Sequence, residues 1–286
     1  MKTKSKIFML LFAGIVVISF AGILVRVITI SPLVTAFYRV LISVLLLTPI
    51  FVLKFRDRYF YFFNYRFMLV GFFLAVHLFL WIAAFEYTSV ANAVIFVAIQ
   101  PLFTIFLEYF LAREDFKKAV IPGIMLALIG SLIISSGDIN ILFSRLWGNL
   151  LALGAAFFAA CYLFSGRSLR RQIEYFPYIY IVYTYAAFFL GLIVLIAGKP
   201  VTGFSGQNYM YLMALALGPT LIGHSVVNFS LRKIPTTFVA VSLLGEPILT
   251  TLMAWVLLGE AATLTTIIGG SLIIWGIFRV VVNSRG

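Results

Sequence analysis

Ten runs of apolar residues divide the chain, at roughly 7–27, 32–53, 67–86, 89–111, 119–136, 147–166, 177–197, 208–231, 236–258 and 263–282. Each is close to the roughly 20 residues that a helix needs to cross a hydrocarbon core. Hydrocarbon offers a backbone N–H or C=O no partner, so runs of this length predict helices, whose hydrogen bonds are internal. The polar stretches between them are short and leave no room for a separate soluble domain. The pattern therefore predicts an all-α integral membrane protein of ten transmembrane helices. The first run follows Lys2, Lys4 and Lys6 in the manner of a secretory leader. It continues past Phe20 to Val27 without a convincing small-residue cleavage site, and is read as the first retained helix.

Composition agrees. The 286 residues are 63% hydrophobic and 10% charged, with mean hydropathy +1.13, against about 25% charged residues in soluble domains. The net charge of +12 is of the kind a nucleic-acid binder carries, but its placement points elsewhere. With ten spans, Lys2, Lys4, Lys6, Lys54, Arg56, Arg58, Arg66, Arg113, Lys117, Lys118, Arg167, Arg170, Arg171, Arg232, Lys233, Arg279 and Arg285 all fall on one side. The opposite side holds Arg26, Arg145 and Lys199, and Arg39 lies within a span. Short loops obey the positive-inside rule. Both termini are thus expected in the cytoplasm of a cell (inner or plasma) membrane, with membrane lipid rather than nucleic acid as the partner of the basic charge.

Known enzyme chemistry finds little support. The single Cys161 has no partner for a disulfide and reads as a small packing residue. No HExxH, CxxC pair, Walker loop or GxSxG occurs, and two histidines far apart are a poor metal set. No cofactor or metal is expected, and no catalytic residue is assigned.

The two halves of the chain echo one another. Pro101 and Pro247 stand 146 residues apart, and the same offset pairs Gln100 with Glu246, Thr104 with Thr250, Glu114 with Glu260, Gly123 with Gly269 and Gly130 with Gly276. Each half, 1–140 and 141–286, holds five predicted helices. Because five is odd, the second enters from the opposite side, which makes an inverted repeat with a site expected at the midplane between the halves. Each proline falls at mid-span and leaves the carbonyl four residues back without its donor, so Pro101 and Pro247 are hinge candidates.

These residues also carry a resemblance. "SPLVTAFYRVLISVLLL", "WIAAFEYTSVANAV" and "QPLFTIFLEYFLARE" running on to "PGIMLALIGSLII", with "GEPILTTLMAWVLLGE" and "GGSLIIWGIF" in the second half, resemble the EamA-type members of the drug/metabolite transporter superfamily over nearly the whole chain. The resemblance implies ten helices in two five-helix repeats around a central cavity lined mainly by helices 1, 3, 4, 6, 8 and 9. It also implies secondary transport of small metabolites, often amino acids, frequently outward. The second half departs at Gly259-Glu260, where the first has Arg113-Glu114.

Polar residues inside the spans narrow the site. Glu246, beside Pro247, is either a carboxyl that meets substrate or a proton in one state, or a structural hydrogen-bond partner for backbone that the proline frees; intramembrane ionisable groups favour function. Asn92, Phe96 and Gln100 share one stripe of helix 4, and Phe238, Ser242 and Glu246 the shifted stripe of helix 9. They read as walls of a mixed pocket or as interhelical hydrogen-bond glue. His77 with Trp81, and His224 with Asn228, each four apart, share faces of helices 3 and 8. Trp81 is too deep for an interfacial belt and is either core or a stacking wall. Arg39, about seven residues into helix 2, reads as a structurally paired charge, because that helix is peripheral in the family. Glu108 is expected to pair with Arg113 at the end of its helix. The seven-residue spacing of Gly123 and Gly130, and of Gly269 and Gly276, predicts close helix contact.

The site expected is amphipathic: aromatic walls, one carboxyl, two imidazoles and several amides. It suits an amino acid or a related compound, carried by alternating access, outward and with protons as a candidate driving ion, by a monomer or weak homodimer. An intramembrane enzyme and a non-transporting scaffold or channel are the alternatives; the first needs a nucleophile–base or metal set, the second a continuous polar pathway.

Overall fold

The computed structural model describes residues 2–113, 118–139, 143–231, 239 and 242–284. Glu114, Lys117 and Phe238, and the side chain of Asn228, lie outside the described residues.

Every regular element among the described residues is helical. In chain order they are α1 (Lys2–Val27), α2 (Pro32–Lys54), a 3-10 segment (Arg56–Phe63), α3 (Tyr65–Ala84), α4 (Val90–Val97), α5 (Gln100–Ala112), α6 (Ile121–Ile139), α7 (Phe143–Gln172), α8 (Tyr175–Ile196), α9 (Gly206–Leu215), α10 (His224–Leu231), α11 (Gly245–Leu258) and α12 (Leu264–Ser284). A short 3-10 turn, Lys118–Val120, leads into α6. By length and composition, eight helices among the described residues can cross a membrane: Lys6–Val27, Pro32–Lys54, Tyr65–Ala84, Val90–Leu111, Arg145–Arg170, Tyr175–Ile196, Gly206–Val227 and Leu264–Asn283. Lys118–Ile134 and Gly245–Leu258 are apolar but shorter.

Proline decides where the helices break. The span Val90–Leu111 is interrupted at Ala98–Ile99, and α5 restarts with Pro101 in its first turn. The turn at Leu244 likewise sets Pro247 in the first turn of α11. A first turn has no use for the missing N–H, so the ring stabilises the restart. Between α9 and α10 lies a wider turn, a π segment from Ala216 to Gly223 with Pro219 inside. The ring takes away the donor that Leu215 C=O, four residues back, would receive. The Thr220 hydroxyl donates to that carbonyl at 2.9 Å instead.

Packing joins the two halves throughout. α6 lies against α12, α3 against α7 and α8, α2 against α8, and α1 against α11 and the π segment. The α6–α12 seam rests on glycine. A Cβ added to Gly123 would sit 2.6 Å from Gly276 O, and one on Gly130 2.4 Å from Gly269 O. Since the first residue in α6 meets the later one in α12, the helices run antiparallel, and only glycine admits backbones this close. The outer surface is apolar, with Leu53 82% and Ile196 78% exposed; an apolar belt of this kind matches lipid rather than water. Hydroxyls within the spans turn back on their own helices, as Ser19 does to Ile15 O and Ser43 to Arg39 O, both at 2.8 Å. In hydrocarbon this satisfies a donor that has no water.

Candidate functional site

Arg39 is the centre of a polar cluster between the halves. It is 4% exposed. Its Nε donates to Thr220 Oγ1 at 2.8 Å, and its guanidinium carbon lies 5.2 Å from the centre of the Trp81 ring. The chain of contacts is therefore Arg39 to Thr220 to Leu215 C=O: the carbonyl that Pro219 frees orients a hydroxyl, and the hydroxyl orients a cation. Glu246 and Tyr183 lie within electrostatic reach of Arg39, as do His77 and His224, which also feel each other. α2, α3, α8, α10 and the start of α11 thus each bring a polar or aromatic group to one place.

The expected site residues divide. His77, Trp81, His224 and Glu246 gather around Arg39. His77 Nδ1 lies 2.9 Å from Ala155 O; a carbonyl only accepts, so Nδ1 carries the proton and Nε2 of the neutral ring is an acceptor. Trp81 is buried, with Phe85 edge-on at 5.2 Å. Ser242 is half-buried. Asn92 ties two helices together: its Oδ1 accepts from Thr266 Oγ1 in α12 at 2.9 Å, and its backbone N–H donates to Ser89 Oγ at the start of α4. Phe96 is core, 3% exposed. Gln100 bonds within its own helix, Nε2 donating to Thr104 Oγ1.

Two expectations about charges need correction. Arg39 is not on a peripheral helix face: α2 packs on α8 and the π segment, which turns it inward. Glu108 meets Arg167 of α7, at 3.4 Å, rather than Arg113. Arg113 is five residues on, outside the three- or four-residue spacing at which helical side chains meet, and it ends α5 with φ 54°. Sequence reasoning also passed over Thr220; its signal was a threonine directly after a mid-span proline, in "LGPTLIG".

A second charged contact joins helix ends. Arg26 Nε lies 2.5 Å from Glu260 Oε1, and Arg26 Nη1 donates to Phe85 O. The other Glu260 oxygen accepts from the Val90 N–H, 3.1 Å away, at the N-terminus of α4, where a carboxylate also complements the helix dipole. This latch holds the end of α1, the start of α4 and the α11–α12 loop together.

Comparison with known proteins agrees with this architecture. A solved crystal structure superposes with a TM-score of 0.66 at 18% identity, covering 98% of this chain and 99% of the other, which shows a shared fold. An "Uncharacterized transporter" of Archaeoglobus fulgidus is 28% identical over 199 residues, 68% of this chain and 69% of that protein. A "Probable amino-acid metabolite efflux pump" of Salmonella typhimurium is 27% identical over 190 residues, 63% of each chain. The chain spans about two thirds of the length of the curated relatives it matches. The profile of the EamA-like transporter family matches residues 5–136 and 146–282, so this multi-pass membrane protein belongs to the EamA-like transporter family.

Proposed function

We propose that the protein is a secondary carrier that exports an amino acid or a similarly amphipathic metabolite by alternating access, as a monomer or weak homodimer in the cell membrane. The observation that carries this reading is the cluster of buried Arg39 and Trp81 with half-buried His77, His224 and Glu246 at the meeting of the two halves. Ionisable groups inside a bilayer are costly and mark substrate or ion paths. The name of the Salmonella relative points the same way. Glu246 is the candidate proton site.

The reading includes ten spans in two inverted repeats, 1–140 and 141–286, with both termini cytoplasmic. Helix pairing supports it. Under the 146-residue offset, the packing of α3 on α7 exchanges with that of the π segment and α10 on α1, and α5 on α7 exchanges with α11 on α1. α2 on α8 and α6 on α12 map onto themselves, and the Gly123–Gly276 contact maps onto Gly269–Gly130. On this topology the Arg26–Glu260 latch lies at the outer end, and the described conformation is closed there.

Counterflow in proteoliposomes tests the function. Vesicles preloaded with each of the amino acids should accumulate the labelled form of at least one; no accumulation of any overturns the amino-acid reading. Cysteines replacing Lys118 and Lys199 in a Cys161→Ala background test the topology. An impermeant thiol reagent on intact cells should label only the second, and labelling of both defeats the arrangement.

A further inference from the structure

Arg39 poses a problem of satisfaction. A guanidinium carries five N–H donors and cannot lose its charge. Thr220 takes the Nε donor, and the face of Trp81 covers the ring plane. Among the described residues no carboxylate oxygen lies within 4.0 Å of the group, and its two Nη atoms have no hydrogen-bond acceptor. Yet the residue is 4% exposed, at a depth where a cation costs roughly 3 kcal/mol on the lenient insertion scales. A charge held by a threonine, aimed by a proline turn and faced by an indole, with its forked end unspent, suits an anion.

We infer that Arg39 is the carboxylate-binding residue of the transport site. The inference rests on the carrier reading above and names its substrate class. The two Nη groups present parallel donors matched to a carboxylate, the bidentate arrangement that makes such pairs strong. Glu246 is within electrostatic reach of Arg39 and makes no ion pair with it. The two groups are thus near one another without direct contact. An α-amino acid carries its own opposite charges on one carbon and complements both, carboxylate to Arg39 and ammonium to Glu246. A substrate with a carboxylate alone would satisfy Arg39. A simple amine would leave Arg39 unpaired, so the carboxylate is the required feature.

The test uses small probes that any side-chain pocket admits. Propionate is compared with propionamide, and alanine with alaninamide, by thermal unfolding of the purified full-length protein in detergent at constant ionic strength. Expected is a concentration-dependent rise with each acid and an apparent affinity at least about tenfold weaker for each amide, the size of a lost charge-assisted pair. Arg39→Gln should abolish the preference and Arg39→Lys keep part of it, since lysine retains charge but not the fork. Should Arg39→Gln not fold, Glu246→Gln decides: removing the neighbouring negative charge should tighten propionate. Equal shifts with acid and amide, no shift with either, a preference that survives Arg39→Gln, or propionate binding weakened by Glu246→Gln overturns the inference. If no amino acid shows counterflow while the acid preference persists, the carboxylate site stands and the amino-acid reading falls.

Discussion

The two halves share a scaffold and differ in chemistry. Both break a helix just ahead of a proline, at Ala98–Ile99 and at Leu244. Both end the following helix in a left-handed residue, Arg113 and Gly259. Both give two glycines to the α6–α12 seam. The polar content is not repeated. Gln100 stands where the second half has Glu246, and α3 is an unbroken helix where its counterpart carries the π turn with Pro219 and Thr220. Glu260 is latched to Arg26 across the halves. The features that let the two halves pack are shared. Features that would recognise a ligand between the halves need appear only once.

The largest expected contrast is at the broken helices. If Glu246 is the coupling group, Glu246→Gln makes the second half like the first at this position. Substrate binding should weaken but persist, because an amide still accepts a hydrogen bond from the ammonium and Arg39 still takes the carboxylate. Transport driven by an imposed pH step in proteoliposomes should fall by at least about tenfold, equivalent to ~1.4 kcal/mol. Gln100→Ala, by comparison, removes a bond confined to one helix turn and should change the same rate by less than about threefold, the scale of one ordinary hydrogen bond. An unchanged pH profile in Glu246→Gln returns the carboxyl to a structural role and removes the asymmetry on which this comparison depends.

A smaller contrast sets Thr220 against Thr104. Thr220→Val keeps the shape, but takes the hydroxyl from Leu215 C=O and leaves the Arg39 Nε without its acceptor in a buried place. An unsatisfied buried group costs about 1–3 kcal/mol, so unfolding in detergent should occur at a clearly lower temperature. Thr104 closes only a local ring with Gln100, and Thr104→Val should cost about 1 kcal/mol or less. Equal shifts would mean that the link from Pro219 to Arg39 holds no more structure than an ordinary helix turn.

What the sequence made legible follows from which forces are local. Lipid compels long apolar runs, so an all-helical membrane chain could be read, and eight helices among the described residues are long and apolar enough to cross. Glycine spacing announced the seam, because backbone contact excludes side chains wherever it occurs. Proline positions announced the breaks. The site was only partly legible. His77, Trp81, His224 and Glu246 could be singled out because polar groups are rare in such runs. Arg39 was noticed and read as a structurally paired charge, since nothing within α2 tells which face the π segment will cover. Its partner Thr220 lies 181 residues away. Asn92, on the same stripe as Gln100, binds Thr266, a contact that periodicity along one helix does not encode. Glu108 was matched to a near neighbour in sequence, but Arg113 stands five residues on, outside the helical spacing, in a left-handed turn.

That turn offers the finest test of the repeat. Arg113 has φ 54° and ψ 33°, and Gly259, its counterpart at the 146-residue offset, has φ 70° and ψ 11°. An L residue in this region costs roughly 1–2 kcal/mol, while glycine is free of that strain and loses more entropy on folding, roughly 0.5–1 kcal/mol. The Arg113 side chain is exposed and has no hydrogen bond or ion pair among the described residues, so the backbone terms decide. Their difference leaves Arg113→Gly more stable by up to about 1 kcal/mol. The reverse change reads the same strain in isolation, because a Cβ on Gly259 would meet nothing within 4 Å. Gly259→Ala should therefore destabilise by about 1 kcal/mol through φ alone. Paired thermal unfolding curves in detergent measure both. Opposite signs would show that one capping conformation is built twice, with glycine in one half and under strain in the other. Destabilisation by Arg113→Gly would mean that the two caps are not equivalent, and that the likeness of the halves stops before the end of the broken helix.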